Sequence, residues 1–217
     1  MEIKKIYDLS VPLKTYMPIW PTNPLVNIVP VGTAARDGYN VETFSGATHS
    51  GTHIDAPYHM VDNAMTVDEI PLTNLVGEGY VIRPELDGPE ITLDRLEKKW
   101  KSEYDHKIVL IHTGWDKKRS YSKDFQFDFP GLGYDTVEFM IKHHPNVIGV
   151  DTLGIEPHAH ADFNVHKKLL AQNIAFIEDL AGLDQLTEGK KYLVAALPLK
   201  IYRGSGAMAR VVALDVF

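Results

Sequence analysis

KIVLIHTG at residues 107–114 and NVIGVDTL at residues 146–153 decide the fold class of this chain. In each segment a short apolar run rich in β-branched residues ends at polar or turn-forming residues, which is typical of a strand. The runs IVLI and VIGV show no alternation of apolar with polar residues. We therefore expect both strands to be buried on their two faces.

Outward from these two segments, the chain alternates between strand-like and helix-like patterns. Further strand-like segments lie near residues 5, 80, 175 and 193 and at the C-terminal end. Amphipathic patterns predict helices over residues 92–100, 134–144 and 162–173. Alternating strands and helices predict an α/β fold, and the strand-rich first and last thirds predict a mixed sheet with extra β structure. The 217 residues suit one domain that spans residues 1–217.

Composition excludes several classes of function. The formal net charge is −7, and no run of lysine and arginine forms a basic stripe, so nucleic acid is not an expected partner. The chain has no secretory apolar segment and no apolar stretch long enough for a membrane span, so we expect a cytoplasmic protein without a membrane partner. It contains no cysteine, so any metal site must use nitrogen and oxygen ligands.

The stretch THSGTHIDAPYH, residues 48–59, places three of the ten histidines and an aspartate within twelve positions. Side chains alternate between the two faces of an extended segment. His49, His53, Asp55 and His59 would therefore share one face. Imidazole and carboxylate groups gathered on one face predict a metal site, and a surface loop without metal is the alternative interpretation.

Distance imposes a condition on this site. In a straight strand, residues 49 and 53 would lie about 13 Å apart. Two imidazoles with metal bonds of about 2.0–2.1 Å cannot bridge that gap. A turn or bulge at Gly51 would bring them together, because glycine accepts backbone angles that other residues rarely adopt.

The stretch HSGTHIDAPYH resembles the HxGTHxDxPxH motif of the family named Putative cyclase, which includes bacterial kynurenine formamidases and isatin hydrolases. Similarity extends to the segments YDLSVPLKTYMPIWP, IGVDTLGIEP and ALPLKIYRGSGAMARVVAL. The resemblance implies that His49, His53 and Asp55 are metal ligands and that His59 is the acid/base catalyst.

A second part of the resemblance implies two further ligands. The family has a distal histidine followed twelve residues later by a glutamate, and HKKLLAQNIAFIE matches this spacing with His166 and Glu178. The cofactor implied is one or two divalent ions per chain, Zn²⁺ or Mn²⁺. The fold implied is of the swivelling β/β/α type, assembled as a homo-oligomer, either a dimer or a tetramer.

The activity implied is hydrolysis of the C–N amide bond of a small aryl formamide, such as N-formylkynurenine, by metal-bound hydroxide. Hydrolysis of a cyclic amide such as isatin is an alternative, as is a cyclisation or dehydration on the same site. A metal-binding protein without turnover is a third interpretation. A small molecule is the expected partner, and a flat aromatic substrate would need apolar walls, for which Trp20, Phe44 and Tyr58 are the candidates.

Two segments depart from the family pattern. HAHADFNV adds His158 and His160, which are interpreted either as extra ligands or substrate contacts or as part of a solvated loop. The C-terminal segment reads GSGAMA where the family commonly has Asp-Gly-Ser-Pro. This segment is implied to lie near the substrate, so the resemblance does not determine which substrate is used.

Overall fold

The segments IVLI and VIGV form neighbouring parallel strands in the computed structural model, which describes residues 2–217. In chain order the strands are β1 (Lys5–Asp8), β2 (Asn27–Gly32), β3 (Val41–Ser45), β4 (His53–Asp55), β5 (Val76–Ile82), β6 (Glu90–Ile91), β7 (Ile108–Ile111), β8 (Gly131–Leu132), β9 (Val147–Val150), β10 (Ala175–Glu178), β11 (Lys191–Pro198) and β12 (Gly206–Asp215). The helices are α1 (Ala34–Asp37), α2 (Leu72–Leu75), α3 (Leu93–Glu97), α4 (Lys123–Phe127), α5 (Val137–His143) and α6 (Asn164–Leu170). Short 3-10 turns lie at Pro57–His59, Ser102–Tyr104, Trp115–Lys118, Tyr134–Thr136 and Leu183–Gln185.

Seven strands pair side by side in a closed ring, in the order β12, β11, β5, β7, β9, β10 and β4. The run from β5 to β10 is parallel, and the remaining pairings are antiparallel. The ring closes because β4 pairs with β10 on one side and with β12 on the other. A mixed sheet with extra β structure is therefore confirmed, and its closure into a barrel was not predicted. Assignment to the swivelling β/β/α type stays a prediction.

The parallel strands are buried on both faces, as expected from their continuous apolar runs. Ile108 and Leu110 of β7 point into the barrel, where they join its apolar interior. Val109 and Ile111 join a second apolar cluster on the outer face, which is covered by α3, α5 and α6. These three helices lie within the three segments for which helices were predicted. Because side chains alternate between the two faces of a strand, the apolar run of β7 contributes both to the barrel interior and to the outer cluster.

Three smaller features complete the description. β1 pairs with the C-terminal half of β12, and β2 and β3 form a hairpin that is largely exposed. β6 and β8 form a short parallel sheet of their own. Within residues 2–217 no helix is long and apolar enough to cross a membrane. A single domain and a cytoplasmic location stay predictions.

Candidate metal centre

β4 brings the histidine-rich stretch into the wall of the barrel. Its three residues pair with Phe176–Glu178 of β10 and with Gly206–Met208 of β12. The turn expected before it is present, because Gly51 has a φ of 63°. A Cβ atom at Gly51 would also lie 2.9 Å from the side chain of Leu13. Both the backbone angle and the close packing therefore favour glycine at this position.

The motif side chains converge around Asp55. The Nδ1 atom of His49 lies 2.6 Å from Asp55 Oδ1, and the Nε2 atom of His53 lies 3.3 Å from the same oxygen. The ring of His59 stacks on that of His49, with 4.1 Å between their centroids. The Nδ1–H group of His53 donates to the carbonyl of Gly51 at 2.7 Å, which leaves its Nε2 atom facing the carboxylates.

The distal pair joins this group from other elements. Glu178 ends β10, and its Oε2 atom lies 3.6 Å from His53 Nε2. His166 lies on α6, and its Nε2 atom lies 3.1 Å from Glu178 Oε1. The structure thus brings together all six residues that the sequence assigned to metal binding and catalysis: His49, His53, Asp55, His59, His166 and Glu178. We call this group the candidate centre.

The donor atoms of the candidate centre suit a divalent cation. One donor atom from each of His53, Asp55 and Glu178 lies within 4.8 Å of the others, and the same holds for His49, Asp55 and His59. Asp55 belongs to both groups, and its Oδ2 atom is buried without a hydrogen-bond partner among residues 2–217. A buried carboxylate oxygen without a partner costs free energy unless a cation or water binds it. The residues therefore fit the expected metal, and their nitrogen and oxygen donors suit either Zn²⁺ or Mn²⁺.

Burial and neighbouring charges shift the pKa values in the centre. Burial alone lowers the pKa of His53, but hydrogen bonding and charge from Asp55, with the charge of Glu178, outweigh it and raise this pKa to about 9. Burial also lowers the pKa of His166, but hydrogen bonds with the carboxylates of Glu156 and Glu178 outweigh burial and raise this pKa to about 10. At His59 burial dominates and lowers the pKa below its ordinary value.

A cavity of about 170 Å³ opens onto the candidate centre. Its walls include His59 and the apolar side chains Ile19, Trp20, Met60, Leu153 and Phe163. Trp20, one of the three aromatic substrate candidates, therefore lies where a substrate would bind. Phe44 lies on the exposed hairpin and lines a different groove. Tyr58 is 42 % exposed and does not line the cavity. The motif turns through Pro57–His59 and directs neighbouring side chains to different sides.

The two unassigned histidines have separate surroundings. His158 packs against Trp20, with ring centroids 5.1 Å apart, and does not itself line the cavity. His160 is buried and forms hydrogen bonds with Glu156 and Glu90. Neither histidine is part of the groups that surround Asp55. The solvated-loop interpretation is wrong for His160, because the loop folds back onto the protein.

Sequence reasoning missed residues that contact the predicted ligands. The Nε2 atom of His49 lies 2.9 Å from Ser205 Oγ, and the Asn23 side chain donates to the His49 carbonyl at 3.1 Å. Glu156 lies 2.6 Å from His166 Nδ1. A Cβ at Gly206 would lie 2.6 Å from the His49 ring. Ser205 and Gly206 belong to the segment GSGAMA, and Glu156 belongs to IGVDTLGIEP. Both segments stood out in the sequence, but the sequence did not show that these residues contact His49 and His166.

A second group of potential ligands, His112, Asp116 and Asp151, lies beyond the strands β7 and β9. Arg83 Nε–H donates to His112 Nδ1 at 3.0 Å. A neutral imidazole that accepts at Nδ1 carries its proton on Nε2. Nε2 is the atom that faces Asp151, at 3.8 Å, so this histidine has no lone pair to offer a metal there. The group is a polar cluster that supports the turn after β7, where Asp151 accepts from Thr113 and Gly114.

Several known proteins are similar to this chain in sequence and in fold. The family model described as Putative cyclase matches residues 7–157. Kynurenine formamidase of Erythrobacter litoralis (strain HTCC2594) is 27% identical over 211 residues, which cover 96% of this chain and 93% of the relative. Isatin hydrolase A from Labrenzia aggregata has a TM-score of 0.85 and 27% identity, and the match covers 98% of this chain and 94% of that one. The structure of a potential metal-dependent hydrolase with cyclase activity has a TM-score of 0.83 and 28% identity, and the match covers 98% of both chains.

Proposed function

The chain belongs to the cyclase family and is metal-dependent hydrolase-like, and from this premise we propose that it hydrolyses the C–N amide bond of a small aryl formamide resembling N-formylkynurenine. The observation that carries the proposal is the convergence of His49, His53 and Asp55 with the distal ligand pair on a cavity whose wall includes His59. An open cavity beside the ligands separates this arrangement from a closed structural metal site.

The five proposed metal ligands are His49, His53, Asp55, His166 and Glu178. A Zn²⁺ or Mn²⁺ ion bound by them would lower the pKa of a water molecule and polarise the amide carbonyl. The carboxylates of Asp55 and Glu178 lie between the histidines, so they could serve either one ion or two. The protein holds His53, Asp55 and Glu178 on paired strands of the barrel wall, and it presents His166 to them from α6.

His59 is the proposed proton carrier. Burial lowers the pKa of its imidazole, so the ring is neutral near pH 7 and can accept a proton from the attacking water. The water oxygen bonds to the formyl carbon as the C–N bond breaks. The same proton then passes to the departing nitrogen, which gives formate and a free amine. Stacking on His49 keeps the His59 ring beside the ligands during both transfers.

A cyclic amide such as isatin is a second candidate substrate, and the composition of the cavity favours it. Trp20, Leu153 and Phe163 offer apolar walls to a flat ring. Among the described residues that line the cavity there is no lysine or arginine. The amino-acid carboxylate of N-formylkynurenine would meet no lysine or arginine side chain among these residues, whereas isatin carries no charge. Hydrolysis would open its ring by the same attack at the amide carbonyl.

Besides the small-molecule substrate, the partner that we propose is a second copy of this chain, in a dimer or a tetramer. A groove of about 580 Å³ beside the β2–β3 hairpin is lined by Leu13, Phe44, Leu199 and Met208. Leu13, Phe44 and Leu199 are exposed in the single chain. Contiguous exposed apolar surface of this kind typically marks an interaction site. Light scattering of the purified protein would test the proposal, and a mass of one chain would contradict it.

The test of the reaction compares both substrates in one assay. We expect the Zn²⁺- or Mn²⁺-loaded protein to hydrolyse N-formylkynurenine or isatin. Glutamine at residue 59 cannot carry a proton between water and nitrogen, so His59→Gln should lower kcat by about 10²–10⁴-fold. Its zinc affinity should stay unchanged if His59 acts on protons and not as a ligand.

His144→Gln is the matched control, because His144 lies at the end of α5, away from the candidate centre. It should retain full turnover. A metal-loaded protein that hydrolyses neither substrate would contradict the proposed function. Loss of zinc affinity together with turnover in His59→Gln would reassign His59 as a ligand.

A further inference from the structure

An unbroken chain of carboxylates and imidazoles leads from the protein surface to the candidate centre. Glu90 Oε1 lies 2.9 Å from His160 Nε2, and His160 Nδ1 lies 3.1 Å from Glu156 Oε2. Glu156 Oε1 lies 2.6 Å from His166 Nδ1, and His166 Nε2 lies 3.1 Å from Glu178 Oε1. This series of hydrogen bonds therefore joins the unassigned His160 to the proposed metal ligand His166 through the single carboxylate of Glu156.

Glu156 is the central member of this chain. Glu156 is only 1% exposed, and its carboxylate accepts hydrogen bonds from the backbone N–H of His166 at 2.9 Å and of Val165 at 3.2 Å. The backbone of β8 packs closely against that of Glu156, because a Cβ at Gly131 would lie 2.6 Å from Glu156 Cα. Glu156 thus holds the first turn of α6 and the imidazole of His166 with one side chain.

His160 is held on two further sides. Its ring stacks on Tyr134, with centroids 3.9 Å apart and planes 12° apart. The hydroxyl of Tyr134 donates in turn to Asp162 at 2.8 Å. Glu90 contacts the other ring nitrogen of His160 from β6, the partner strand of β8. The short β6–β8 sheet therefore supplies Glu90 to this series of hydrogen bonds and packs against Glu156.

A metal-binding histidine typically donates its other ring N–H to a carboxylate, which fixes the ring orientation. Glu156 occupies that position for His166. Among residues 2–217 the one other donor to Glu156 Oε2 is the Val165 N–H at 3.2 Å, so His160 supplies the side-chain bond to this oxygen that fixes the orientation of the carboxylate. Loss of that bond would leave Glu156 Oε2 with the 3.2 Å bond from Val165 N–H alone and would loosen the carboxylate that orients the ring of His166.

We propose that Glu90, His160 and Glu156 form a brace that orients His166 for metal binding, with His160 as a positioning residue. The inference rests on the proposed function in one respect, namely that His166 is a metal ligand. It gives a role to His160, and it gives the β6–β8 sheet the role of a support for the candidate centre.

Two substitutions separate the two ring nitrogens of His160. The amide nitrogen of asparagine takes the place of Nδ1, and that of glutamine takes the place of Nε2. His160→Asn therefore keeps a donor toward Glu156, whereas His160→Gln keeps one toward Glu90 only. Removal of a group that orients a metal ligand typically weakens metal binding by about 10–100-fold. We expect that loss for His160→Gln and a change of less than about threefold for His160→Asn.

The measurement is a Zn²⁺ titration of the metal-free full-length protein against a competing chelator, with circular dichroism to confirm the fold. His144→Asn serves as the control, because His144 lies outside the brace and its φ of 45° suits asparagine. Equal zinc affinities in His160→Asn and His160→Gln would overturn the proposal, whether both match the unsubstituted protein or both fall. Absence of zinc binding by the unsubstituted protein would overturn the brace and the proposed function together. The expected pattern in a protein that hydrolyses neither substrate would support the brace and contradict only the reaction.

Discussion

At the scale of single residues, Asp55 contacts histidines from two sides of the candidate centre. Its Oδ1 atom lies 2.6 Å from His49 and 3.3 Å from His53, and its Oδ2 atom is buried without a hydrogen-bond partner within residues 2–217. Burial raises the pKa of Asp55, but the charges of His49 and His59 and its hydrogen bonds hold it well below the ordinary value. A carboxylate that stays ionised in such surroundings is suited to a cation.

The raised pKa values of His53 and His166 predict how the metal-free protein responds to pH. Both groups bind protons more tightly when folded, so their contribution to stability is complete below about pH 6.5. It is lost as the pH rises through about 9 for His53 and about 10 for His166. We expect the free energy of unfolding of the metal-free protein, measured in urea, to fall between pH 7 and pH 10. His166→Asn should flatten this fall, and an equally steep fall in that variant would contradict the assignment.

The residues of the centre divide into those that the sequence reveals and those that only the fold reveals. His49, His53, Asp55 and His59 lie within eleven positions, so their spacing alone indicated a site. Ser205 contacts His49 from a distant part of the chain, and Glu156 contacts His166, which lies outside the histidine-rich stretch. No local pattern encodes such contacts, because they depend on how separate strands align.

At the scale of elements, β4 is a strand of three residues that pairs on both sides. A strand this short gains its order from its neighbours, since a strand needs partners to satisfy its backbone groups. The apolar runs in β7 and β9 predicted buried parallel strands correctly, because an uninterrupted apolar run places apolar side chains on both faces of a strand. Closure through β4 and β12 was not predictable, because register between strands about 150 residues apart leaves no local pattern.

Two glycines of β5 differ in the space around them, and this difference predicts how the barrel tolerates alanine. A Cβ at Gly79 would lie 2.5 Å from Val194 Cγ2 of β11, whereas a Cβ at Gly77 would meet only Thr73 O at 3.9 Å. Gly79→Ala should lower the free energy of unfolding by about 1–3 kcal/mol through overpacking of the interior. Gly77→Ala, the matched control on the same strand, should change it by less than about 0.5 kcal/mol. Urea unfolding measures both, and equal effects would contradict the packing argument.

At the scale of the whole molecule, metal binding should be linked to stability, because the proposed ligands come from strands and a helix that unfolding separates. A ligand present at 100 times its Kd stabilises the folded state by about 2.7 kcal/mol. In a protein of this size that corresponds to a rise in Tm of about 5–10 °C. We expect Zn²⁺ to raise the Tm by this amount in thermal melts and EDTA to reverse the rise. The Asp55→Asn variant should show little response, and a full response in it would place the stabilising ion elsewhere.

The position of β4 between β10 and β12 has a consequence for protein synthesis. Residues 53–55 leave the ribosome early, yet their two partners are residues 176–178 and 206–208. Until residues 176–178 and 206–208 have been made, a nascent chain therefore carries His49, His53 and Asp55 without the strands that place them beside Glu178. The candidate centre can take shape only after β10 and β12 have been made, so a shorter nascent chain would expose the three proposed ligands to the cell's metal ions without the strands that position them.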